Sequence, residues 1–221
     1  MKIHPLPETN QSNSRLIIGS GSNLPPEYTK ARPIMDGDIT VDKDNIISPT
    51  HVLDIKNLAQ LKTLAKSYIG RFDEIIFERV GYGFANLYNN RRKLRKGLKR
   101  IAAMLKPGGL LIYEGFCFYS LRNIDRNLGV NNNPLHAIQL VFACAMKIKF
   151  QLNCFHKHTS LDYLLNCTLQ QQLEEITAFY TEHLGKVGLE INKCGMTYYP
   201  SEKDKNYLDH GYHFTLSATK S

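Results

Sequence analysis

The chain has 221 residues, a mass of 25.2 kDa, a net charge of +8 and a mean hydropathy of -0.31. With 43% apolar and 22% charged residues it has ordinary globular composition, which excludes disordered, collagen-like and coiled-coil chains. A chain of this length buries about 70% of its unfolded surface, so it needs neither disulfide nor metal to form a core. The five cysteines are odd in number and widely spaced, which reads as reduced thiols in a cytosol-like compartment. The opening MKIHPLPETNQSNS lacks the apolar stretch of a signal peptide. The most apolar run, Leu135–Met146, falls short of the about 20 residues that cross a bilayer. A cytoplasmic protein without a transmembrane segment is therefore expected. The positive charge favours polyanionic partners or an anionic substrate.

In chain order, residues 1–14 are polar and expected to be flexible, and 15–221 read as a single domain. Arg15-Leu16-Ile17-Ile18 is an apolar run stopped by Gly19-Ser20-Gly21-Ser22-Asn23, the pattern of a buried strand entering a tight turn. Pro25-Pro26 can open a short helix, which Arg32-Pro33 must end. Strands are predicted over 38–42 (DITVD) and 51–54 (HVLD), each closing on an aspartate. Residues 58, 61, 64 and 68 are apolar at helical spacing, and 72–77 is a further strand. A long helix follows over 87–105, apolar at 87, 94, 98, 101 and 105; Lys106-Pro107-Gly108-Gly109 is expected to end it before a strand over 110–114. This alternation predicts an α/β fold with a parallel sheet and helices on its faces. The rhythm breaks at about 117–160, a helical insertion with a polar loop (NLGVNNNP) and an apolar helix over 134–149. A helix over 161–184 and strands over 190–199 and 212–219 complete the chain; two strands with no long helix between them suggest an antiparallel pair.

A glycine turn after a first strand lets a ligand approach the backbone closely. A carboxylate closing the second strand, about 20 residues on, can accept both ribose hydroxyls of an adenosine, and Asp42 stands at about that distance from Gly19. A nicotinamide site favours G-x-G-x-x-G, whereas Leu24 occupies the third glycine position here. Taken alone, Asp42 and Asp54 also suit a helix N-cap or a turn.

The succession L-I-I-G-S-G-S, I-T-V-D, H-V-L-D-I, F-D-E-I-I-F and R-I-A-A-M-L-K-P-G-G-L-L-I resembles class I S-adenosylmethionine-dependent methyltransferases, above all those with a shortened first helix. The resemblance covers about residues 15–115 and the final strand pair, and LKPGG is its most specific piece. It implies a three-layer Rossmann-like methyltransferase fold, with a mostly parallel seven-stranded sheet of order 3-2-1-4-5-7-6 and an antiparallel last strand. It also implies S-adenosyl-L-methionine as cofactor and methyl transfer to an O, N or C nucleophile. Gly19, Ser20 and Gly21 would then pass beneath the methionine part, with Asn23 at the last position of the glycine pattern. Asp42 would hold the ribose, and Asp54 would accept the adenine amino group, with the Ile55 backbone N–H facing the ring. Glu78 and Arg79 would flank the transferred methyl. The chain departs from the family at Ile17, where an acidic residue is usual, at Asn23, and at Arg79-Val80-Gly81-Tyr82-Gly83. The Asn/Asp-Pro-Pro-Tyr loop of nucleic-acid amino methyltransferases is not present.

No fixed catalytic residue is expected, because an activated methyl group needs mainly proximity and alignment. Tyr82, Glu114 and Tyr119 are candidates for the substrate side of the cleft. The insertion is the expected substrate-shaping element, and its compact apolar character tilts the acceptor toward a small molecule. Arg91 to Arg100 holds seven Lys and Arg residues, with no acid between Glu78 and Glu114. On a helix these cations form adjacent rows that suit a non-specific nucleic acid or an anionic surface; the bland alternative is a solvated face. The rival readings are therefore a non-catalytic binding module on this fold, or an RNA-binding methyltransferase, docking through that helix. Cys154, His156 and His158 fall on one face of an extended segment, but no C-x-x-C pair supports zinc, and no metal is expected.

Overall fold

Seven strands form one sheet in the computed structural model, which describes residues 14–19, 34–45, 48–78, 91–117, 169–199 and 211–221. They are β1 (Arg15–Ile18), β2 (Ile39–Asp42), β3 (His51–Val52), β4 (Phe72–Glu78), β5 (Leu105–Cys117), β6 (Leu189–Tyr199) and β7 (Gly211–Lys220). Helix α1 (Leu58–Ser67) lies between β3 and β4, α2 (Arg91–Met104) leads into β5, and α3 (Leu169–Gly185) precedes β6. The sheet order is β3-β2-β1-β4-β5-β7-β6. The pairings among β1 to β5 are parallel, and β7 runs antiparallel to both β5 and β6. Order and polarity are those that the sequence resemblance implies.

Both faces of the central strands are buried, which is why their sequences read as unbroken apolar runs. Leu16, Ile18, Ile75, Phe77, Leu111 and Tyr113 belong to the main core with Leu61 and Leu64 of α1, Leu94, Leu98 and Ile101 of α2, and Ile176 and Leu184 of α3. The alternate residues Ile17, Ile76 and Ile112 pair in register across β1, β4 and β5 and form a second apolar cluster. Ile17, where the resembling family carries an acid, is thus a core residue. Asn57 caps α1 by accepting the N–H groups of Ala59 (3.1 Å) and Gln60 (3.3 Å).

Several boundaries differ from the sequence reading. β2 starts at Ile39 and β3 is only two residues long, so Leu53 and Asp54 lie beyond it. β5 begins at Leu105, not Leu110, and α2 ends at Met104. Leu105 pairs with Phe72 and Leu110 with Glu74, so Lys106-Pro107-Gly108-Gly109 is a bulge within the strand. The two glycines permit it. Gly108 has φ 75°, and a Cβ on Gly109 would stand 2.9 Å from the Lys106 carbonyl oxygen and 3.1 Å from that of Phe72. The ends of the expected helices at 87–90 and 161–168, the expected short helix after Pro25-Pro26, and residues 118–160 of the insertion lie outside the described residues.

Charge gathers where the parallel strands begin. Arg15 pairs with Asp38, its Nε donating to Oδ1 at 2.8 Å, and the Met35 N–H donates to Asp38 Oδ2 at 2.7 Å. Asp73 accepts from Lys106 Nζ at 2.8 and 2.7 Å and from the Ser14 N–H at 2.9 Å. Hydrogen bonding from Lys106 foremost, aided by Ser14, holds the Asp73 carboxyl below the usual carboxylate range. On α3, His183 is fully buried against Phe179, ring centroids 4.4 Å apart, and neither ring nitrogen has a hydrogen-bond partner among the described residues. Burial, reinforced by Arg91, Lys186 and Arg95 and opposed by Glu182, pushes its pKa down.

Two predictions follow from this packing. Gly109→Ala drives a methyl group into fixed backbone, with an expected loss of about 1–3 kcal/mol in urea unfolding; a change within about 0.5 kcal/mol would show that the bulge yields. For His183, the unfolded state takes up a proton as pH falls through about 6.5, while the folded state resists to lower pH. The unfolded state then binds more protons, so stability drops as pH falls below about 6.5. Asp73 acts lower: its contribution is present above about pH 3.9 and is lost as pH falls through its depressed folded pKa. His183→Phe is expected to flatten the pH dependence of unfolding between about pH 7 and 5 while leaving the steeper loss below about pH 4. A parent-like slope between pH 7 and 5 would assign that loss to another group.

Candidate active site

Ligands of open parallel sheets sit at the carboxyl ends of the strands, where the strand order reverses. Here that point is β1, with β2 on one side and β4 on the other. The register defines what meets there. Ile18 pairs with Val41 on one side and with Phe77 on the other, so the next residues along the three strands are Gly19, Asp42 and Glu78. Asp42 pairs with Val52 and Glu78 with Glu114, extending the row in both directions. With strands about 4.8 Å apart, residues 42 and 78 stand about 10 Å apart across a glycine that carries no side chain. Gly19 has φ 78°, a left-handed conformation that ends the strand, and donates its N–H to the Val41 carbonyl at 2.8 Å.

Each aspartate is held by its own loop. Asp42 Oδ1 accepts the Asp44 N–H at 3.0 Å, while the Asp42 carbonyl accepts the Leu53 N–H at 2.8 Å. Thr40 and Thr50 tie the start of β3 to β2, the Thr50 N–H donating to Thr40 Oγ1 at 2.9 Å and the Thr40 N–H to Thr50 Oγ1 at 3.2 Å. Asp54 Oδ1 accepts the Lys56 N–H at 2.9 Å, and the Asp54 N–H donates to Gln60 Oε1 at 3.0 Å. Both aspartates therefore serve as turn residues, which leaves Asp42 one carboxylate oxygen without a hydrogen bond from a described residue. Ile55 packs in the core, and Glu78 is 7% exposed at the end of β4.

Gln60 was missed by the sequence reading. The signal was present: Asn57-Leu58-Ala59-Gln60 has the spacing of a capping box. The glutamine reaches further back than that pattern prescribes, fixing the backbone of Asp54. A second missed pair is His51 and Tyr68, both buried, with Nε2 and Oη 2.7 Å apart; it joins β3 to the end of α1. Burial raises the Tyr68 pKa, so it stays a neutral phenol.

Of the residues singled out by sequence, Gly19, Asp42 and Glu78 come together in one row, and Glu114 extends it. Asp54 and Ile55 follow the end of β3, two and three residues beyond Val52. Ser20, Gly21, Asn23, Arg79, Tyr82 and Tyr119 lie outside the described residues, as do Cys154, His156 and His158. Among the described residues, no group of three His, Cys, Asp or Glu residues is placed to hold a metal, and no helix is long and apolar enough to cross a membrane.

The sheet order, with its antiparallel β7, defines the class I methyltransferase fold. No protein-family model matches the chain, and no curated protein matches it. Among solved structures it is similar to the 16S rRNA (adenine(1408)-N(1))-methyltransferase from Catenulisporales acidiphilia, with TM-score 0.46, 12% identity, and 95% of this chain and 88% of that chain covered. It is similar to the N-methyltransferase NodS from Bradyrhizobium japonicum (0.44, 13%, 94% and 85%). It is also similar to the CurJ carbon methyltransferase (0.41, 16%, 96% and 49%), of which it spans about half the length.

Proposed function

We propose that the chain is an S-adenosylmethionine-dependent methyltransferase whose cofactor lies along the carboxyl edge of β1, β2 and β4. The observation that supports this reading most is the row Asp42–Gly19–Glu78 at the reversal of strand order. The residues fit the group chemically. A glycine between two carboxylate-bearing neighbours gives the backbone room for close approach. A carboxylate already oriented by one turn hydrogen bond, with a second oxygen not so engaged, suits a ribose diol. Asp54, anchored through Lys56 and Gln60, suits an exocyclic amino group.

In this reading Asp42 accepts the ribose hydroxyls, Asp54 the adenine amino group, and the Ile55 backbone faces the ring. Gly19, with Ser20, Gly21 and Asn23 after it, runs beneath the methionine portion, and Glu78 and Arg79 border the methyl group. When bound, the cofactor supplies a methyl carbon activated by a positive sulfur. The chain's own task is to align an acceptor O, N or C atom with that carbon and to keep water out. Tyr82, Glu114 and Tyr119 are the residues assigned to the acceptor side, with a small molecule the favoured acceptor. The acidic residues along this edge suit a ligand carrying a positive sulfonium, since opposite charges attract most where water is excluded.

The test is calorimetric. Asp42→Asn retains an oxygen for the Asp44 N–H and should fold as the parent does. Asp42→Ala should lose about 1.5–3 kcal/mol of S-adenosylmethionine binding, roughly 10–150-fold in Kd, with Asp42→Asn between the two. Saturating cofactor, at about 100 times its Kd, should stabilise the parent by about 2.7 kcal/mol. Equal affinities in parent and Asp42→Ala would remove the ribose assignment, and no binding at all would remove the function.

A further inference from the structure

We propose that the outer face of α2 is a docking surface for the phosphate backbone of RNA. Arg91, Arg92, Arg95, Lys96 and Lys99 line a pocket of about 320 Å³ on this helix. Arg92, Arg95, Lys96 and Lys99 are exposed, and none forms a hydrogen bond or ion pair with a described residue. Three of the seven cations, Arg91, Lys93 and Arg100, already have contacts of their own. The Arg91 guanidinium stands 5.9 Å over the Phe179 ring, and Arg100 donates to the Leu58 carbonyl at 2.5 Å. The four others are concentrated positive charge that phosphate would neutralise, with release of counterions. Successive cations in a row, such as 92 and 96 or 95 and 99, are about 6 Å apart along the helix axis, a ladder suited to a regularly charged strand.

The apolar side of the helix decides between polyanions. A helix that lies in a membrane surface needs exposed apolar residues to insert. Here Leu94, Leu98 and Ile101 are at most 1% exposed and are spent on the core. Nothing apolar in residues 91–100 is left to enter a bilayer, so charge alone remains, which is the footprint of phosphate-backbone binding. No side chain here is arranged to read bases, so binding is sequence-independent. The helix is also well placed. Its C-terminal carbonyls at Ala103 and Met104 accept the N–H groups of Gly70 and Arg71, just before β4 begins. Fourteen residues extend about 21 Å, so its Arg91 end points toward the carboxyl edge that holds Asp42 and Glu78. The proposal does not depend on cofactor binding.

The measurement is fluorescence anisotropy on a short labelled single-stranded RNA across a salt series, with the full chain. Four phosphates neutralised on a single strand give a log–log salt slope near -3, about a 50-fold loss of affinity between 50 and 200 mM salt. The variant Arg92→Gln, Arg95→Gln, Lys96→Gln, Lys99→Gln should bind at least tenfold more weakly at low salt with a nearly flat slope. Its melting temperature should equal or exceed the parent's, because like charges four apart are removed. If that variant does not fold, Arg92→Gln with Lys96→Gln should reduce the slope by about 1.4. Parent protein that does not bind at 50 mM salt, or a folded variant that binds as the parent does, would overturn the proposal. So would phosphatidylserine vesicles that capture the protein more strongly than RNA does, which would assign the face to a membrane.

Discussion

The register of β1 between β2 and β4 is the constraint on which the carboxyl edge depends. Side chains alternate along a strand, so a slip of one residue would exchange Ile17 with Leu16 and Ile18 between the two faces. Because both faces are apolar, burial alone discriminates weakly against that slip. The charged contacts at the other end of the strands do not share this ambiguity. Arg15 meets Asp38 just before β2, and Ser14 meets Asp73 at the start of β4, with Lys106 closing the contact from β5. The side chain of Asp38 is only 3% exposed, so a slip would strand a buried charge, a loss of about 3–5 kcal/mol. Pairs at the amino end thereby determine which residues reach the carboxyl end together: Gly19, Asp42 and Glu78.

This arrangement separates charge by location. The overall charge is +8, yet the row that crosses the strand-order reversal carries Asp42, Glu78 and Glu114, with Asp54 just past its edge. Seven of the 28 Lys and Arg residues are gathered on α2, a neighbouring element built on the same sheet. In the readings proposed above, a cationic small ligand and a polyanion would meet different surfaces of the same molecule.

Much of this was legible in the sequence, and the rest was hidden for identifiable reasons. The central strands declared themselves because two-sided burial demands unbroken apolar runs such as L-I-I and I-I-F. Gly19 and Asp42 were legible because glycines after an apolar run signal a turn, and because strand ends are fixed by the runs before them. The start of β5 was not: Pro107 and two glycines signal a break, and only the pairing of Leu105 with Phe72 shows that the strand continues around it. The brevity of β3 was hidden because pairing with Val41 and Asp42, rather than composition, limits it. Arg15–Asp38, Ser14–Asp73 and His51–Tyr68 join residues far apart in sequence, so no local pattern announces them. Gln60 could have been found, since its spacing from Asn57 is a capping signature whose partner merely turned out to be Asp54.

Helix α2 shows most clearly which effect wins when local and tertiary terms oppose each other. Like charges one turn apart destabilise a helix by about 0.2–0.5 kcal/mol per pair, and the rows 91–95–99 and 92–96–100 contain four such pairs. Together they cost about 1–2 kcal/mol. Burying Leu94, Leu98 and Ile101 contributes about 1.5–3 kcal/mol each, and Met104 adds to this. Packing against the sheet exceeds the repulsion severalfold, so α2 folds despite its charge. A surface charged for stability would interleave Glu with Lys one turn apart, and this helix contains no acid at all. The fold supplies the rigidity, and Arg92, Arg95, Lys96 and Lys99 carry charge that no described residue pairs.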